Sequence, residues 1–156
     1  MNDGQTSHKF VLVLNKKIDL GVALNAAAHM AASLVNRASE DDRKQMMFVD
    51  YVDADGGMHP VSALSLVVLR ADNSNKIRQA REAALEKGIL FVDFTETMTK
   101  DTYVEQMQRT RATASDDLEY WGICLFGRKS DLDLITGKFS LWRVVNPPAE
   151  GGESAR

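Results

Sequence analysis

One cysteine in 156 residues excludes an internal disulfide, so nothing in the chain calls for an oxidising compartment. No apolar run approaches the ~20 residues that a membrane helix requires; the longest, Leu64 to Leu69, is already broken by Ser65. The opening residues, Met1-Asn2-Asp3-Gly4-Gln5, have neither the basic region nor the apolar core of a signal peptide. A cytoplasmic protein with no membrane partner is expected. An excess of positive charge is also missing. The formal net charge is −3, and the basic residues occur as scattered pairs: Lys16-Lys17, Arg78 with Arg81, Arg109 with Arg111, Arg128-Lys129. That pattern argues against a nucleic-acid partner such as tRNA, whose phosphates usually demand clustered cations. The three histidines, His8, His29 and His59, fall in separate segments without a second ligand at zinc spacing. The turn Asp53-Ala54-Asp55-Gly56 lacks the first ligand and the closing glutamate of a calcium loop. Neither a metal nor a cofactor is expected.

What is present is ordinary globular material, 44% hydrophobic and 26% charged. A chain of this length forms one domain and buries about 70% of its unfolded surface. The domain is expected over 9–146, between flexible tails at 1–8 and 147–156. The second tail, Pro147-Pro148-Ala149-Glu150-Gly151-Gly152-Glu153-Ser154, has too little apolar surface to offset the entropy of ordering it.

Phe10 to Leu14 reads as a buried strand, and Asp19 as the N-cap of a helix running to about Arg37. Strands over Met46–Val52 and Leu64–Leu69 follow, joined by the glycine-rich turn at Asp53–Gly57. Asn73 to Lys87 has a helical stripe of Ile77, Ala80, Ala84 and Leu85, closed by Gly88. Ile89 to Phe94 is another strand. Thr99 to Ala112 forms a weaker helix, with Thr102 and Glu105 at capping-box spacing. The chain closes with a strand over Trp121–Phe126, a turn, a short helix and Phe139-Ser140-Leu141-Trp142. This alternation predicts an α/β domain with a mixed sheet and helices on both faces.

Three groups of residues are candidates for chemistry. Asn25 and His29, four apart on an alanine-rich helix, share a face. They suit the hydrogen-bonding floor of a ligand site, or a satisfied structural histidine. Gly127, Arg128, Lys129 and Ser130 precede a helix, where backbone N–H groups and two cations suit an anion; Ser130 and Asp133 fit a plain cap equally. Asp93, Thr95 and Thr97 follow an apolar strand at a spacing of two, which would put them on one wall at a strand end. A turn built on their local hydrogen bonds is the alternative. Cys124, inside an apolar strand, reads as a buried small hydrophobe. Gly127 to Ser130 lacks P-loop spacing.

Lys9-Phe-Val-Leu-Val-Leu, the Ala-Ala-Ala-His29-Met-Ala helix, and Gly122-Ile-Cys-Leu-Phe-Gly through Asp131-Leu-Asp-Leu-Ile-Thr-Gly137-Lys-Phe-Ser-Leu resemble the class II, archaeal and eukaryotic peptidyl-tRNA hydrolases. More closely, the chain resembles a mainly bacterial branch of that fold, domain-of-unknown-function family 2000. The resemblance implies a three-layer α/β/α domain, often dimeric. It does not carry the enzyme's chemistry across. Val22 stands where that class has a lysine, Ala26 where it has a glutamine, and Tyr120 where a threonine begins a strand. The aspartate of an Asp-Ala-Gly turn falls near Thr95, with Asp93 out of register. Only His29 is kept.

No catalytic residue is therefore assigned. The expected function is small-ligand binding or regulation on a hydrolase scaffold, at a pocket of Asn25, His29, Asp93, Thr95, Thr97 and Arg128, with the Thr99–Ala112 helix as a lid. Two alternatives stand beside it. One is a hydrolase for peptidyl-tRNA or a related ester with displaced residues, Lys16, Lys17 or Arg128 supplying the cation. The other is a structural homodimer without a ligand.

Overall fold

The computed structural model describes residues 6–143. Its centre is β1 (His8–Asn15), whose last six residues are buried on both faces. It runs parallel to β4 (Leu66–Ala71) and antiparallel to β6 (Tyr120–Arg128). Outside β6 lies β5 (Leu90–Thr95), and outside β4 the two-residue β7 (Ser140–Leu141), giving the order β5-β6-β1-β4-β7. The mixed sheet is as expected. Of the expected tails, all but residues 6–8 lie outside the described residues, and His8 already belongs to β1. Among the described residues no helix is long and apolar enough to cross a membrane.

A strand apolar on both faces needs cover on both. On one face α1 (Leu20–Arg37) packs Ala23, Ala26, Met30 and Leu34 against Phe10, Leu12, Leu14 and Phe126. Its start is fixed by Asp19, whose carboxylate accepts the Gly21 N–H at 2.9 Å. On the other face α3 (Ser74–Glu86) and α5 (Lys129–Thr136) bury Ile77, Ala80, Ala84, Leu132 and Ile135 against Val11, Val13, Ile123 and Leu125. Asn73 caps α3, and Gly88 leaves it at φ +64°, where a side chain would be strained. Leu85, expected on the buried stripe, is exposed.

Four local expectations change. The polar segment Glu40–Gln45 forms a short helix, α2, held by its Ser39 cap rather than by any apolar stripe. Met46 caps that helix and Met47 has φ +51°, so β2 begins only at Phe48 and ends at Val52. The Asp53 turn returns into a further strand, β3 (Met58–Ser62), and not into the main sheet. Gly127 and Arg128 are strand rather than turn, because the ladder with β1 runs on through Lys9↔Gly127 and His8↔Arg128.

Gly122 sits where α1 and β1 crowd β6. A Cβ there would lie 2.6 Å from Met30 Cε, 3.1 Å from Leu14 Cδ2 and 3.2 Å from the Val13 carbonyl oxygen. Met30 is itself buried, so its tip has little room to retreat. Gly122→Ala is expected to lower the unfolding free energy by about 1–3 kcal/mol in urea titration, the usual cost of overpacking.

Burial pushes the Cys124 thiol up to about 12. The unfolded chain ionises this group near the ordinary ~8.5, so its contribution to stability is full below that value and is lost as pH rises from there toward 12. At pH 8 the folded protein is expected to resist iodoacetamide, and urea-unfolded protein to take up one equivalent, as read by intact mass.

Candidate functional site

β5 is one edge of the sheet, and a deep depression runs along it. Hydrogen bonding fixes which way its backbone faces. Lys129 donates its N–H to the Ser7 carbonyl at 2.9 Å, and antiparallel bonding pairs recur at every second residue. Lys9/Gly127, Val11/Leu125 and Val13/Ile123 are therefore the bonded pairs of β1 and β6. Gly122, Cys124 and Phe126 then turn toward β5 and bond Phe94, Val92 and Leu90. The N–H and C=O groups of Phe91 and Asp93 point outward, away from the sheet.

They open into a groove of about 970 Å³ between α1 and α3. One wall is a stripe of α1: Val22, Asn25, His29, Ser33 and Arg37, three or four residues apart and so on one face. It spans about 22 Å of helix. Asn25 and His29 are exposed along it, and the His29 ring lies 5.9 Å from that of Phe94. Trp121 forms part of the floor, beside the irregularity where β5 slips register between Phe94 and Thr95. Its Nε1–H is buried without a hydrogen-bond partner among the described residues.

On the α3 side, Arg81 Nε donates to Asp93 Oδ2 at 2.7 Å, with both side chains partly shielded from solvent. The Arg81 guanidinium also lies over the rings of Phe91 and Tyr120, at 5.6 and 5.9 Å. Burial raises the Tyr120 phenol above its usual range. The far end of the groove carries Met98, Thr99, Lys100 and Gln106. Lys100 and Asp101 both have positive φ, +58° and +62°, conformations that cost energy and need outside support. Arg109 supplies it. Its guanidinium donates to the carbonyl oxygens of Thr99 (2.7 Å) and Lys100 (3.2 Å) and to Asp101 Oδ2 (3.0 Å).

Arg109 belongs to α4 (Tyr103–Arg111), which buries no residue of its own. The expected capping box is present, with Glu105 accepting the Thr102 N–H at 2.9 Å. That bond holds the Glu105 carboxyl below its usual range. The helix begins later than expected because the two left-handed residues precede its cap.

Of the residues singled out in the sequence, Asn25, His29 and Asp93 line this one groove, and so does Val22. Thr95 and Thr97 do not line a wall. They are buried, their hydroxyls 2.8 Å apart, and Thr110 donates to Thr97, tying β5 to α4. Arg128 lies at the other end of β6, in a separate depression of about 520 Å³ with Gly127, His8 and Asp131. At the expected anion site the Lys129 N–H is already taken by Ser7, and the Arg128 side chain makes no cap bond. Lys16 pairs with Asp72 at 2.7 Å, and neither it nor Lys17 borders the groove. Among the described residues no cluster of three metal-ligating side chains occurs.

Sequence reading missed Ser33, Arg37, Arg81, Lys100, Gln106 and Trp121. Extending the three-to-four spacing from His29 finds Ser33 and Arg37. No local signal joins Arg81 to Asp93.

The fold and the groove define an α/β domain with a cleft at an open sheet edge. Among solved structures it is similar to a protein of unknown function, Atu0240 from Agrobacterium tumefaciens strain C58, with a TM-score of 0.75 at 20% identity, over 89% of this chain and 100% of that one. No curated protein matches the chain. Residues 8–143 match the family model described as protein of unknown function, DUF2000. The chain belongs to that family.

The Arg81–Asp93 pair is the main electrostatic feature of the α3 wall. Asp93→Ala strands a half-shielded guanidinium, and the expected loss is about 1–2 kcal/mol of unfolding free energy. In a double-mutant cycle with Arg81→Ala the two losses should fail to add by about 0.5 kcal/mol or more.

Proposed function

We propose that this domain binds a small, elongated, negatively charged ligand in the groove between α1 and the free edge of β5. The observation that carries this is the lining. It gathers Asn25, His29 and Ser33 with three cations, Arg37, Arg81 and Lys100, against one carboxylate, Asp93. Arg81 already neutralises that carboxylate, which leaves a positive balance for an anion to meet. The outward N–H groups of Phe91 and Asp93 add fixed donors. The groove's volume is at the upper end of the range usual for small-molecule sites. Arg109 holds the Lys100 end in shape, and α4, resting on it without a core of its own, suits a lid.

The residue resemblance supports reading the scaffold as a variant of the class II peptidyl-tRNA hydrolase fold that has lost that activity. Val22 faces the groove where the enzyme class has a lysine, and an isopropyl group cannot stabilise an oxyanion. Arg81 and Asp93 do not rebuild the missing machinery. Their side chains lie with Phe91 and α3, whereas His29 packs on Phe94 on the α1 side of the same strand.

A thermal-shift screen of nucleotides, dicarboxylates and phosphorylated metabolites, followed by Trp121 fluorescence titration, tests the reading. At one hundred times its dissociation constant a ligand adds about 2.7 kcal/mol of stability. That gain should fall by at least half with Lys100→Ala or His29→Ala. Release of peptide from peptidyl-tRNA that His29→Ala abolishes would instead establish the hydrolase.

A further inference from the structure

The hairpin of β2 and β3 stands apart from the main sheet. Its base is anchored: Met46 and Leu64 enter the α1-side core, and Ser62 Oγ donates to the Met46 carbonyl at 2.5 Å. Every residue of β2 is exposed, as are four of five in β3. A lone two-stranded hairpin is marginal in water, and this one is apolar on both faces. Phe48, Val52 and Met58 (54%, 64% and 68% exposed) share one face; Val49, Tyr51 and Val61 (38%, 57% and 45%) share the other.

Its two edges are not equivalent. Asp53 donates to the Gly57 carbonyl at 3.0 Å, and Ala63 to that of Met47 at 2.9 Å. By the alternation of antiparallel bonding, Val49/Val61 and Tyr51/His59 are the bonded pairs and Asp50/Pro60 is not. Pro60 therefore turns its nitrogen, which carries no hydrogen, toward solvent in the middle of the outer edge of β3, and blunts that edge. Among the described residues the N–H and C=O groups of Phe48, Asp50 and Val52, on the outer edge of β2, have no partner.

We propose that β2 pairs edge to edge with β2 of a second copy of this chain, forming a four-stranded, two-fold sheet outside the main domain. Pairing satisfies the backbone groups of that edge and covers the flanks of the apolar β2 side chains beside it, while the faces of the four-stranded sheet stay open. A second copy is the occupant because the free edge is complementary to itself. A two-fold axis at Asp50 matches every outward-bonding residue with another. Phe48 then faces Val52 of the second copy, Val49 faces Tyr51, and all five residues of β2 pair. The two Asp50 carboxylates meet at the axis, a like-charge contact that weakens the assembly.

Sedimentation equilibrium of the full chain should show a mass twice the 17.3 kDa of one chain at micromolar concentration. Asp50→Pro removes an outward N–H without touching the hairpin's own bonds, as Pro60 does on β3, and should give a monomer with an unchanged circular dichroism spectrum. The double variant Phe48→Ser, Val52→Ser should raise the dissociation constant at least tenfold. Asp50→Asn should lower it several-fold. Leu24→Ser, on the exposed face of α1, should change nothing. A monomer at every concentration, a dimer that survives both Asp50→Pro and the serine pair, a dimer broken by Leu24→Ser, or one that Asp50→Asn fails to tighten would each overturn the proposal.

Discussion

The double-sided burial of β1 is the constraint from which the rest of this structure follows. Val11 and Val13 point into one layer, Leu12 and Leu14 into the other, and none is exposed to water. Each face must be covered over the length of the strand. One long helix does this on one side, and two shorter helices on the other. The strand also bonds a parallel neighbour and an antiparallel one, so the sheet grows in both directions and ends in two edges. The two-residue β7 shortens one. The other, β5, remains open between the helical layers.

That open edge is where we propose that a ligand binds. A strand between two helices but without an outer neighbour has backbone donors and acceptors to spare, and the helices give the space around them walls. The polar stripe on α1 and the Arg81–Asp93 pair on α3 turn an unfinished sheet edge into a cleft. Arg109 stabilises its far end by occupying the carbonyl groups of a turn that holds two residues in left-handed conformation. The hairpin shows the same principle on the outside of the molecule: Pro60 closes one edge and leaves the other exposed.

Where a segment's conformation is set by its own neighbours, the sequence was readable. Asp19 before the apolar helix, Gly88 after α3 and the Thr102–Glu105 box act within a turn or two, and all appear where expected. The buried strand at Phe10–Leu14 and the α/β alternation were readable for the same reason. Two of the failures have local causes too. Glu40–Gln45 has no apolar period, so its cap was the only signal. Met58–Ser62 contains a proline and lacks an alternating pattern. At Gly127-Arg128 the cause was distant: turn propensity lost to the ladder with His8 and Lys9 at the far end of the chain.

For the site, the sequence by itself determined that Asn25 and His29 share a helix face, because helical periodicity alone puts residues four apart on one side. Only the tertiary structure decided that Asp93 faces Arg81, that Thr95 and Thr97 are buried ties rather than a wall, and that Arg128 lies at the opposite end of its strand. Those outcomes depend on which strands become neighbours, which end of each lies at the cleft and where the register slips. Such choices are made by burial and hydrogen bonding summed over the whole sheet, and no short stretch of sequence encodes them.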